Sequence, residues 1–219
     1  MKKILIIGDS WGVGAYRYIP KSIEAIPATG PDFFLEQKGY TVVNRAEAGA
    51  SNLTQLESIE SIDADYVIWF HTETNRDLLS RKLAGNNFRQ LTEQAAENNY
   101  KLAQALYDKF KVPFIVIGCL SPLHKSIEKY SFYKYKIDSW LQELSGFEPP
   151  LNIHSDNMDK VMTEYPPSDK TFVIDEIDGM LSVESALETH PAFSQGVHPS
   201  KDSYQQLVDR LHLFITANN

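Results

Sequence analysis

Four consecutive aliphatic residues, Ile4-Leu5-Ile6-Ile7, run without a polar break into Gly8-Asp9-Ser10-Trp11-Gly12-Val13-Gly14. A strand that is apolar on both faces must be covered on both, which is the condition of a strand buried inside a parallel sheet. The glycines that follow mark a sharp exit from it. Ser10 is therefore expected at a strand-to-helix turn, where backbone N–H groups are unpaired and the helix dipole favours negative charge. A serine there can attack a carbonyl, because the same N–H groups can hold the oxyanion that forms. The pattern also fits a phosphate-binding or structural glycine turn, so the rest of the chain has to decide.

Further along, strands and helices alternate. Thr41-Val42-Val43-Asn44, Asp65 to Phe70, Phe114 to Gly118 and Thr171 to Ile174 read as strands. Asn86 to Lys111 places Leu91, Ala95, Leu102, Ala105, Leu106 and Phe110 at helical spacing, and Lys201 to Ala217 does so with Leu207, Val208, Leu211, Phe214 and Ile215. Such alternation implies an α/β fold, a parallel sheet with helices on both faces. Ligands in these folds bind at the carboxyl edge of the strands, near the switch point. Ser10, Gly49, the segment 71–77 and the loop after Gly118 all fall at such strand ends. At 219 residues, one domain spanning 1–219 is expected.

At the other end, Gly196-Val197-His198-Pro199-Ser200 feeds the last helix, which can carry His198 back over the first strand. With Gly8-Asp9-Ser10 as nucleophile block and His198-Pro199 as base block, the chain resembles the SGNH/GDSL hydrolase family. The resemblance implies a three-layer α/β/α, flavodoxin-like parallel sheet and ester hydrolysis through an acyl-enzyme on Ser10, with His198 as general base. It implies no metal or organic cofactor. The family places a glycine after its second strand whose N–H joins the oxyanion hole, and Gly49 matches that position. Close approach of backbone to ligand would leave no room for a Cβ there; an ordinary turn glycine is the alternative.

Two blocks depart from the pattern. The third strand should end in Gly-x-Asn-Asp, but His71-Thr72-Glu73-Thr74-Asn75-Arg76-Asp77 follows it. A glutamate cannot donate to an oxyanion unless protonated, so Asn75 is the expected amide donor, with the Thr72 hydroxyl as a substitute. Arg76 and Asp77 read as a local ion pair or helix-start pair. The family's acid three residues before the histidine is replaced by Gln195. A Ser–His dyad, a carboxylate from elsewhere, or a degenerate site would each fit. Asp175, after the strand-like Thr171 to Ile174, is the candidate substitute acid, with Asp178 close behind; both also fit helix or turn capping.

Composition bounds the alternatives. A formal charge of −8 argues against nucleic-acid binding, which needs Lys/Arg surfaces. Cys119 is the single cysteine, so no intramolecular disulfide can form, and a reducing compartment is the simpler reading. The apolar run after Lys2-Lys3 ends too early for a signal peptide, and no segment approaches the ~20 apolar residues of a membrane span. A cytoplasmic protein with no membrane partner is expected. Gly8-x-x-x-Gly12-x-Gly14 lacks the spacing of a dinucleotide fingerprint and no Walker lysine follows.

Residues 120–170 read as an insertion or lid that sets substrate choice. Tyr130, Phe132, Tyr133, Tyr135 and Trp140 crowd together there, which suits either sugar binding or core filling. The histidines His124, His154 and His190 show no metal-like spacing. A small ester, with O-acetyl groups on carbohydrate foremost, is the expected substrate. The competing reading is a catalytically weakened SGNH-like domain that binds carbohydrate or serves a larger assembly.

Overall fold

The computed structural model describes residues 1–19, 22–72, 74, 77, 88–119, 122–146, 190–194 and 198–218. In chain order the strands are β1 (Lys3–Gly8), β2 (Tyr16–Ile19), β3 (Ser22–Ala25), β4 (Thr41–Asn44), β5 (Tyr66–His71), β6 (Phe114–Gly118), β7 (Tyr133–Ile137), β8 (Phe193–Ser194) and β9 (His198–Pro199). The helices are α1 (Pro31–Gln37), α2 (Asn52–Glu57), α3 (Phe88–Phe110), α4 (Trp140–Ser145) and α5 (Lys201–Ala217). Five strands form one sheet in the order β4-β1-β5-β6-β7, every neighbouring pair parallel. The chain leaves β1 for one edge and returns to its other side, so the switch point lies between β1 and β5.

Unbroken apolar runs build this sheet because successive side chains serve opposite layers. Ile4, Ile6, Ile68, Phe70, Ile115 and Ile117 point into one core, shared with α1, α4 and α5 through Leu35, Trp140, Leu207 and Leu211. Leu5, Ile7, Val67, Trp69, Phe114 and Val116 point into the other, shared with α2 and α3 through Leu56, Tyr100 and Ala103. The molecule is a three-layer α/β/α sandwich, as the alternating pattern predicts.

The chain departs from expectation directly after β1. No α-helix follows Ser10. Residues Ser10–Gly12 form a single 3-10 turn, and an antiparallel hairpin, β2 with β3, intervenes before α1 begins at Pro31. Asp9 is the cause: its Oδ1 accepts from Trp11 N–H at 3.0 Å and its carbonyl from Gly12 N–H at 2.9 Å, closing a turn too tight to propagate. The dipole of a long helix is therefore not what faces Ser10.

Residues 122–146 contribute a second 3-10 turn, edge strand β7 and α4 to the sandwich, while 147–170 lie outside the described residues. Here the core-filling reading of the aromatics prevails. Phe132 is fully buried and Trp140 nearly so, and Tyr135 stacks on Phe214 of α5 at 4.9 Å. Among the described residues no helix is long and apolar enough to cross a membrane.

Candidate active site

Ser10 and His198, separated by 188 positions, meet at the carboxyl edge of β1, with Oγ 2.8 Å from Nε2. Each is held by a different part of the fold. The turn that carries Ser10 begins at Gly8, whose φ of +135° and packing exclude a side chain: a Cβ would lie 2.4 Å from the Phe70 carbonyl of β5. The Gly8 N–H donates to Gln55 Oε1 of α2 at 3.1 Å. From the neighbouring strand, Asn44 donates its amide to the Gly12 carbonyl at 2.9 Å. From α5, the Tyr204 hydroxyl donates to the Trp11 carbonyl at 2.8 Å and lies 3.2 Å from that of Gly14. Strand, sheet neighbour and both helical layers thus converge on one turn.

His198 opens β9, which pairs antiparallel with β8, Ser194 opposite His198. The Ser203 hydroxyl of α5 donates to the Ala192 carbonyl at 2.7 Å, and Ser200 N–H donates to the same carbonyl at 2.8 Å. Phe193 packs edge-on against Trp11, so the two arms of the site share an apolar floor completed by Trp140. His198 is itself largely buried, and the Tyr16 ring lies over it with centroids 4.0 Å apart. Burial, aided by the negative charge of Asp9, raises the Tyr16 hydroxyl above its ordinary pKa and keeps it neutral.

Gly49 lies in the turn after β4, beside β1, where the Glu47 N–H donates to the Gly8 carbonyl at 3.0 Å. A Cβ at Gly49 would meet no protein atom within 4 Å, and the φ of +81° is what disfavours other residues. Thr72 is buried at the end of β5, its backbone clasped by the Asn52 side chain: Thr72 N–H donates to Oδ1 at 3.0 Å and Asn52 Nδ2 to the Thr72 carbonyl at 2.8 Å.

Asp77 is not a surface charge. It is buried, accepting from Leu53 N–H at 2.9 Å and Asn99 Nδ2 at 2.6 Å, so it ties α2 to α3. Asn75, Arg76, Glu73, Gln195, Asp175 and Asp178 lie outside the described residues. His124 Nδ1 is 2.7 Å from the Ser126 hydroxyl and caps the 3-10 turn Lys125–Lys129; His190 Nδ1 accepts from Ala192 N–H at 3.2 Å. Among the described residues no cluster of three or more His, Cys, Asp or Glu side chains could hold a metal. Nothing local in the sequence marks Tyr16, Asn44 or Gln55 as part of this site. Their partners are distant in sequence, and only Tyr204, at the apolar spacing of α5, carries a sequence cue of burial.

No protein-family model matches the chain, and no curated protein matches it in sequence. Solved structures do. The native aryl esterase of M. smegmatis superposes with a TM-score of 0.50 at 11% identity, covering 99% of each chain. A lipase/acylhydrolase from Enterococcus faecalis gives 0.47 at 15%, covering 100% of this chain and 97% of that one. A carbohydrate esterase described as having divergent catalytic and non-catalytic binding functions gives 0.49 at 12%, covering 99% of this chain and 65% of that one. At such identities the likeness is one of fold: the protein shares the three-layer α/β/α architecture of the M. smegmatis aryl esterase.

Proposed function

We propose that the chain is a serine esterase acting on a small ester through an acyl-enzyme on Ser10. The observation that carries this reading is the 2.8 Å contact between Ser10 Oγ and His198 Nε2 at the carboxyl edge of the sheet. That separation allows direct proton transfer between nucleophile and base. His198 Nε2 takes the hydroxyl proton as Oγ adds to the ester carbonyl carbon. Collapse of the tetrahedral adduct breaks the bond to the alkoxy oxygen, which leaves with the proton from His198. Water, deprotonated by the same nitrogen, then attacks the acyl carbon; the carboxylic acid departs and Ser10 regains its proton. The N–H groups of Ser10 and Gly49, at the ends of adjacent strands, are assigned to the oxyanion, with Asn75 as amide donor and the Thr72 hydroxyl as its substitute. Asp175 is assigned as the acid that orients His198. The substrate class put forward is an O-acetylated carbohydrate or a similarly small ester.

Hydrolysis of p-nitrophenyl acetate by the wild type, Ser10→Ala and His198→Ala tests the assignment. Each substitution is expected to lower kcat by roughly a hundredfold or more. Equal rates in all three proteins would overturn it and favour a binding role for the same site.

A further inference from the structure

We propose that Tyr16 is a positioning residue for His198, and that the β2–β3 hairpin inserted after the nucleophile turn exists at this site to hold it there. The inference rests on the esterase reading above but uses different contacts. Tyr16 is 5% exposed, and its ring lies over the imidazole at a centroid distance of 4.0 Å and an interplanar angle of 32°. The rings meet in a tilted contact, closer than Trp69 with His71 at 4.9 Å or Trp11 with Trp140 at 5.7 Å.

The backbones are joined as well as the rings. Tyr16 N–H donates to Ser194 Oγ at 3.0 Å, and the same hydroxyl donates to the His198 carbonyl at 3.0 Å. One side chain therefore sets the spacing between the start of β2 and the start of β9. The base of the hairpin is locked in turn: Ile26 N–H donates to the Ala15 carbonyl at 2.8 Å, and Ala15 N–H to Thr29 Oγ1 at 3.1 Å.

A hydrogen bond at Nε2 constrains the edge of the imidazole more than the tilt of its plane. A buried aromatic face over the ring removes that freedom. Its electron-rich surface also suits the imidazolium that forms when Ser10 gives up its proton. Small errors in base orientation are costly in reactions that depend on aligned proton transfer.

The full chain carrying Tyr16→Phe or Tyr16→Leu, read by proton NMR of the His198 ring and by ester hydrolysis, tests this. In the wild type, nuclear Overhauser contacts between the Tyr16 and His198 rings are expected, with the imidazole protons displaced by the ring current. Tyr16→Phe should keep that displacement and keep kcat within about twofold, because the face and not the hydroxyl makes the contact. Tyr16→Leu should abolish the displacement and lower kcat roughly tenfold with KM nearly unchanged, the mark of an alignment lost in the transition state. No ring–ring contact in the wild type would overturn the proposal, as would an unchanged kcat in Tyr16→Leu or an equal loss in Tyr16→Phe. Should Tyr16→Leu fail to fold, the wild-type contacts and the Phe variant still decide. A wild type that hydrolyses no ester would refute the esterase reading while leaving the ring contacts as an independent result.

Discussion

Neither ring nitrogen of His71 has a hydrogen-bond partner among the described residues, and the side chain is 1% exposed between Trp69 and Tyr100. Burial holds it neutral, driving its pKa from the ordinary 6.5 down to about 3, with the nearby His124 pushing the same way. Between those two values the unfolded chain binds a proton that the folded chain refuses, so stability falls as the pH drops from 6.5 toward 3. The loss from this one residue amounts to a few kcal/mol, on the order of 1.4 per pH unit. Urea unfolding of His71→Phe against the wild type should show a shallower decline over that window; parallel curves would remove His71 as the cause. Its burial follows from its place as the last residue of β5. At Gly49 the backbone φ of +81° disfavours other residues whatever the space around it, and a sequence does not print that angle.

At the level of elements, α5 does more than cover the sheet. Ser200 and Ser203 at its start secure the strand that carries His198, and Tyr204 one position on grips the nucleophile turn. Tyr204→Phe keeps the packing and leaves two buried carbonyls short of a donor. It should cost about 1–3 kcal/mol in chemical denaturation and lower esterase activity through a loosened turn; wild-type stability and activity would contradict the role given to the hydroxyl. The long helices and the buried strands were legible because their periodicity is strong: α5 occupies the residues that the spacing predicts, and β4, β5 and β6 match within a residue. Several shorter elements, β7 and the β2–β3 hairpin among them, were not legible, for physical reasons. In β7, Tyr133, Tyr135 and Ile137 alternate with Lys134 and Lys136, the period-two signature of a half-buried strand, but the run is short and its aromatics equally suit core filling or sugar binding. The β2–β3 hairpin is short, partly polar, and stabilised by contacts with β8 and β9 that lie almost the whole chain away.

Across the whole molecule, the sheet divides two cores and presents one carboxyl edge where the first and last elements meet. Ser10 and His198, each in a local block with its own sequence pattern, lie within 2.8 Å of one another. The contacts that hold them, from Asn44, Gln55, Ser194 and Tyr204, arise only when the two ends of the chain are brought together. Chemistry at that junction depends on Ser10 being a nucleophile and not merely a buried turn residue. Incubation of the folded protein with a fluorophosphonate, followed by peptide mass spectrometry, reads this directly. One phosphonyl adduct on the peptide containing Ser10 is expected, absent in Ser10→Ala and formed roughly a hundredfold more slowly in His198→Ala. An unmodified wild type, or an adduct on any other residue, would contradict the assignment of Ser10.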